Sequence, residues 1–112
     1  MPLIHVKLSS SKIENSQELL QELSKELSDL TGKPEQYVMC ILETNIPMLF
    51  SGSEDPCCYV EVKSIGSLTP PVMTKAFTKL IERKTGISSD RIYISFDDIQ
   101  ASKWGFNGQT FG

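Results

Sequence analysis

The sequence predicts an α/β (α+β) fold in which a duplicated β-α-β unit gives a four-stranded sheet with two helices on one face. Three observations predict it. Two segments carry apolar residues at helical spacing, and four short segments alternate or run apolar at strand spacing. When the chain is slid along itself by 54 positions (85 − 31), its halves also match in residue class, with Pro2 over Pro56, Leu23 over Phe77 and Thr31-Gly32 over Thr85-Gly86. The 112 residues suffice for one domain, with pseudo-repeats of about 1–54 and 55–108.

The first strand is expected over Pro2–Leu8, where Ile4, Val6 and Leu8 alternate with polar residues. A helix over Ser16–Thr31 follows from Leu19, Leu23, Leu27 and Leu30, with Leu20 widening the stripe. Asn15 with Glu18 three residues on reads as a capping box, and Gly32 followed by Pro34 stops the helix. The second strand, Tyr37–Thr44, is apolar on both sides of the pleat, as in strands buried on both faces. Cys57–Ser64 places Cys58, Val60 and Val62 on one side of the third strand. Pro70 and Pro71 suit the first turn of a second helix, which turns Met73, Phe77, Leu80 and Ile81 inward and ends at Gly86. Arg91–Phe96 is the fourth strand. Beyond Asp97, Trp104, Phe106 and Phe111 stand among glycines and polar residues without the periodicity of a core element, and their aromatic rings are expected to seal a neighbour.

Two right-handed βαβ units lay both helices on one face of the sheet and leave the other uncovered. The missing cover is expected from other subunits, so the sequence points to a homo-oligomer whose sheets face an interior. Composition excludes several classes. With 39% hydrophobic residues, 22% charged residues, 7 Gly and 6 Pro, the chain is neither disordered nor collagen-like. Eleven Lys+Arg against fourteen Asp+Glu leave a net charge of −3 with scattered cations, so no nucleic-acid footprint is present. No apolar run is long enough to cross a membrane, and His5 and Lys7 interrupt any secretory leader. Three cysteines without metal-ligand spacing point to buried thiols in a reducing, cytoplasmic compartment, and any export would take an unconventional route. No metal site or cofactor is expected: the adjacent Asp97 and Asp98 supply only part of a ligand set and read as a solvated turn, and lone His5 reads as a structural or surface residue.

Met1-Pro2, Thr31-Gly32-Lys33-Pro34 with Gln36-Tyr37, Ser64-Ile65-Gly66, Asp90-Arg91-Ile92-Tyr93-Ile94 and the ending Asn107…Thr110-Phe111 occur in an order and spacing that resemble, over the whole length, the family of macrophage migration inhibitory factor and D-dopachrome tautomerase. The resemblance implies a homotrimer whose three sheets enclose a central channel. It also implies keto–enol tautomerisation of phenylpyruvate- or dopachrome-like substrates, small aromatic α-keto acids among them. In this chemistry Pro2, freed by removal of Met1, is the general base. An α-amino group titrates at about 7.7–8, and burial or a nearby cation such as Lys33 lowers that value until the amine is part-neutral near pH 7. With Met1 attached, the Pro2 nitrogen is a tertiary amide and the chemistry is switched off. Read without the family, Pro2 is a rigid start to an edge strand, Lys33 a cation at a helix C-terminus and Tyr93 a strand-core tyrosine.

By the resemblance, Lys33 binds the substrate carboxylate, the backbone of Ile65 within Ser64-Ile65-Gly66 contacts the substrate, and Tyr37 lies nearby. Tyr93 comes from the adjacent subunit. The chain also departs from the family pattern. Ser95 replaces an asparagine that helps hold the substrate, and Lys63 replaces a histidine beside the pocket. Trp104 and Phe106 take rim positions held by a valine and a tryptophan. Cys57 is kept, but Val60 stands where the cytokine has the second cysteine of a CxxC, so a dithiol cycle of that type has no partner thiol. Two other readings stand beside the tautomerase: a secreted signalling or host-modulating protein that binds a receptor and keeps a relic pocket, and a hydration or dehalogenation enzyme, for which matching pocket arginines or acids are missing.

Overall fold

The structure is a computed structural model that describes residues 1–11, 13 and 15–112. Its main elements are β1 (Pro2–Leu8), α1 (Ser16–Thr31), β2 (Met39–Glu43), β3 (Cys58–Ser64), α2 (Pro70–Thr85), β4 (Ile92–Asp98) and the two-residue strands β5 (Gly105–Phe106) and β6 (Gln109–Thr110). The four main strands form one mixed sheet in the order β2-β1-β3-β4. Each β-α-β unit pairs its own strands in parallel, and the two units meet through the antiparallel β1–β3 ladder.

Both helices lie on one face. Leu19, Leu23 and Leu27 of α1 and Met73, Phe77, Leu80 and Ile81 of α2 pack on Ile4, Val6, Leu8, Cys58, Val60 and Val62. The capping pair is present in altered form: the Glu18 N–H donates to Asn15 Oδ1 (3.0 Å), while Glu18 Oε2 accepts from the Asn15 side-chain amide (3.2 Å). Lys84 ties the helices together through Glu18 (2.5 Å) and Glu22 (2.7 Å). No described helix is long and apolar enough to cross a membrane.

Several boundaries differ from the sequence expectation. Tyr37 does not open β2. It closes a single 3₁₀ turn, Glu35–Tyr37, because the Pro34 carbonyl accepts from its N–H (3.0 Å). β2 is not buried on both sides within the chain either, since Met39 is 57% exposed on the uncovered face. Cys57 precedes β3 and, like Cys58, is buried, whereas Cys40 is half-buried. β4 starts one residue later than expected and runs two further, to Asp98.

The end of the chain also has more structure than its lack of periodicity suggested. Asn107 and Gly108, both at positive φ (54° and 81°), make the tight two-residue turn between β5 and β6, whose strands are too short to show alternation. Phe106 meets Tyr37 edge-on at 6.2 Å and stacks on Phe111 at 5.9 Å, so two of the aromatics expected to seal a neighbour contact their own chain.

The 54-residue correspondence holds for the helices and for their exits. Thr31 Oγ1 donates to Leu27 O (2.7 Å), and Thr85 Oγ1 to Ile81 O (2.7 Å). Gly32 and Gly86 both turn the chain at positive φ, each with its N–H on the carbonyl four residues back. The strands shift differently. Leu3 pairs with Met39 and Tyr59 with Tyr93, so a shift of 54 in the outer strands (93 − 39) goes with 56 in the inner ones (59 − 3). The ungapped correspondence of Pro2 with Pro56 therefore gives way to Pro2 with Cys58, and the connection from β1 to α1 holds two more residues than that from β3 to α2.

Candidate active site

Pro2 is buried at the first residue of β1, where a missing N–H leaves the ladder intact. The surrounding geometry follows from ladder parity. The Ser9 N–H donates to Cys57 O (3.1 Å), so odd residues of β1 exchange hydrogen bonds with β3. Even residues of β1 turn towards β2, as the bond from Ile46 N to Leu8 O (3.1 Å) shows. The nitrogen of Pro2 therefore faces the Tyr37–Met39 side. There a cleft of about 230 Å³ is lined by Met1, Pro2, Leu3, Tyr37, Trp104 and Phe106.

Ser64 lies directly opposite Pro2 as a non-hydrogen-bonded pair, the kind in which side chains approach most closely. It is fully buried, and its hydroxyl has no partner among the described residues. Its carbonyl points the other way and accepts from Ile99 N (2.8 Å). Ile65 comes next in the odd series, whose amides face β1. Its N–H donates no hydrogen bond among the described residues, which leaves it open at the head of β1.

Lys33 is placed by the exit of α1. Gly32, at φ +71°, reverses the chain, the Lys33 N–H donates to Thr31 Oγ1 (3.3 Å), and the Lys33 carbonyl accepts from Ser28 Oγ (2.5 Å). Its charge reaches the chain terminus. The Met1 amine is held below its ordinary value, first by burial and then by the positive charge of Lys33. Lys63 borders a second, adjoining cleft on the other side of Leu3 and Trp104, and its ammonium lies 3.9 Å from Glu61.

Pro2, Ser64, Ile65, Lys33, Tyr37 and Phe106 thus gather at one end of the sheet, with Lys63 at its border. Tyr93 and Ser95 do not join them. Both lie on β4 facing the uncovered side, Tyr93 at 64% exposure against Phe50 (4.7 Å) and Ser95 bonded to the Tyr59 hydroxyl (2.7 Å). The sequence reading missed one site neighbour. Asp98, taken as a solvated turn, accepts from the Gly66 N–H (2.9 Å). No local pattern reveals such a contact, which spans 32 residues. His5 is half-buried and pairs with Glu43.

Larger grooves lie elsewhere, one of them between the helices. Its Arg83 is already matched by Glu22 (3.4 Å), and its remaining charges are of mixed sign, so nothing there selects a ligand.

The model of the macrophage migration inhibitory factor family matches residues 1–112. The chain belongs to that family. Among curated relatives it is 36% identical to macrophage migration inhibitory factor of Meriones unguiculatus, covering 99% of each chain. It is also 36% identical to the homolog of Brugia malayi over the full length of both. Among solved structures, the macrophage migration inhibitory factor homologue of Prochlorococcus marinus superposes with a TM-score of 0.94 at 48% identity, covering 98% of this chain and 99% of the other. The family lies within the tautomerase superfamily, and its two-helix, four-stranded sheet is the architecture described above.

Proposed function

We propose that this family member, once Met1 is removed, is a keto–enol tautomerase acting on small aromatic α-keto acids such as phenylpyruvate. The observation that carries the reading is the setting of Pro2: buried at the end of an aromatic-lined cleft, within reach of the Lys33 charge, beside the open amide of Ile65. Burial and Lys33 lower the Met1 amine, and the same two causes act on the Pro2 amine that replaces it. The neutral secondary amine removes a proton from the carbon next to the substrate carbonyl and, as an ammonium, returns it to the other end of the enolate. Lys33 binds the carboxylate, the Ile65 N–H meets a substrate oxygen, and Tyr37 and Phe106 hold the ring.

In this reading the protein is a homotrimer, and Tyr93 and Ser95 enter the site from the adjacent subunit. Support comes from their exposure on β4 and from the uncovered sheet face. The test is keto–enol conversion of phenylpyruvate followed by ultraviolet absorbance. It compares protein whose intact mass shows Met1 removed with protein that retains it. Turnover is expected only from the first. Negligible turnover from both would sink the reading and favour a binding role.

A further inference from the structure

Asp98 ends β4, and the tautomerase reading has no use for its carboxylate. Its Oδ1 accepts from the Gly66 N–H (2.9 Å), and the amide of the following residue, Ile99, donates to Ser64 O (2.8 Å). The two bonds grip the chain on either side of Ile65. Among the described residues, the bond to Asp98 is the only hydrogen bond made by residues 65–67. The same turn holds two successive residues at positive φ, Gly66 (69°) and Ser67 (60°). Glycine adopts that conformation freely, whereas serine does so at a cost, so an outside tie is needed to keep this shape.

We infer that Asp98 is a positioning residue: by holding the Gly66 amide it fixes the direction in which the Ile65 N–H meets the substrate. This rests on the tautomerase reading but goes beyond it, because Asp98 touches neither substrate nor Pro2. An interaction made equally in the ground state and the transition state appears in KM rather than in kcat.

The experiment uses full-length protein with Met1 removed, phenylpyruvate as substrate, and the variants Asp98→Ala and Asp98→Asn. The alanine enzyme is expected to show a KM raised about tenfold with kcat within about twofold, the size of one lost charge-assisted hydrogen bond. Asparagine keeps an acceptor oxygen and should rescue KM. Hydrogen exchange at the Gly66 amide should quicken in the alanine enzyme and stay slow in the asparagine one. An unchanged KM in Asp98→Ala overturns the proposal, and so does an asparagine enzyme as impaired as the alanine one. Should Asp98→Ala not fold, the wild-type protein decides: an unprotected Gly66 amide, or an Ile65 amide resonance that stays still when phenylpyruvate is added, overturns it. If wild-type protein fails to turn over phenylpyruvate, the tautomerase reading falls, and protection of the Gly66 amide still judges the clamp separately.

Discussion

Lys33 acts on the amine at the head of β1 through its charge, and the sign of that effect can be tested. A general base works in its neutral form, so activity rises with pH through the pKa of the amine. A nearby cation disfavours the ammonium and lowers that pKa, which moves the rise to lower pH. Replacing Lys33 with Met should shift the acid limb of kcat/KM upward, while burial, the larger of the two causes at the Met1 amine, remains. KM should rise by about tenfold as the carboxylate loses its partner. A pH–rate profile that does not move in Lys33→Met would separate the lysine from the base. The thiols give a second test at this scale. Burial pushes Cys58 up to about 12 and Cys40 up to about 11, so neither is a thiolate at neutral pH. Iodoacetamide should leave Cys58 unmodified in the native protein and label it after denaturation, as peptide mass analysis would show.

At the scale of elements, the exit from α1 places Lys33. Thr31 Oγ1 holds Lys33 by its N–H while bonded to Leu27 O, so Thr31→Val should loosen Lys33. The expected result is a higher KM with kcat nearly kept, measured beside Thr85→Val, which breaks the equivalent exit of α2 far from any lysine of the cleft. The ion pairs between the helices predict a pH effect. Glu22 is held below its ordinary 4.5, first by the hydrogen bond from Lys84, so this contribution is present above 4.5 and lost as pH falls through the folded-state value. Lys84 is raised, so its contribution persists below 10.5 and is lost only above. Lys84→Met should therefore show a small urea-midpoint deficit near pH 7 that shrinks in acid. The helices and their glycine exits were legible in the sequence because leucine spacing and left-handed glycines are local signals. The strand register was not. An alternating strand moved by two residues keeps every side chain on its face, so residue class alone cannot tell a shift of 54 from one of 56. The clamp from Asp98 to Gly66 was hidden for another reason, since one carboxylate accepting one distant amide leaves no spacing to read.

For the whole molecule, the sheet order leaves β2 and β4 as edges and one face bare. That face is mixed: His5 pairs with Glu43, Lys63 lies near Glu61, and Ser95 and Asp97 are exposed, while Leu3, Met39, Ile41, Tyr59 and Tyr93 share it by register. Edge strands with free backbone groups invite pairing with a neighbour. In the tautomerase reading the site is split, with Pro2 at one end of the inner strands and Tyr93 exposed on an edge. A trimer that joins them can be tested by complementation. Chains carrying Pro2→Gly and chains carrying Tyr93→Ala should each assemble into inactive trimers. When the two are unfolded together in equal amounts and refolded, a site needs an intact Pro2 from one chain and an intact Tyr93 from its neighbour. Random assembly supplies both at about one site in four, so about a quarter of wild-type turnover should return. Sedimentation should give three chain masses before and after mixing. A mixed sample that stays inactive while trimeric would mean that Pro2 and Tyr93 do not serve a shared site, and a monomer would remove the shared site altogether.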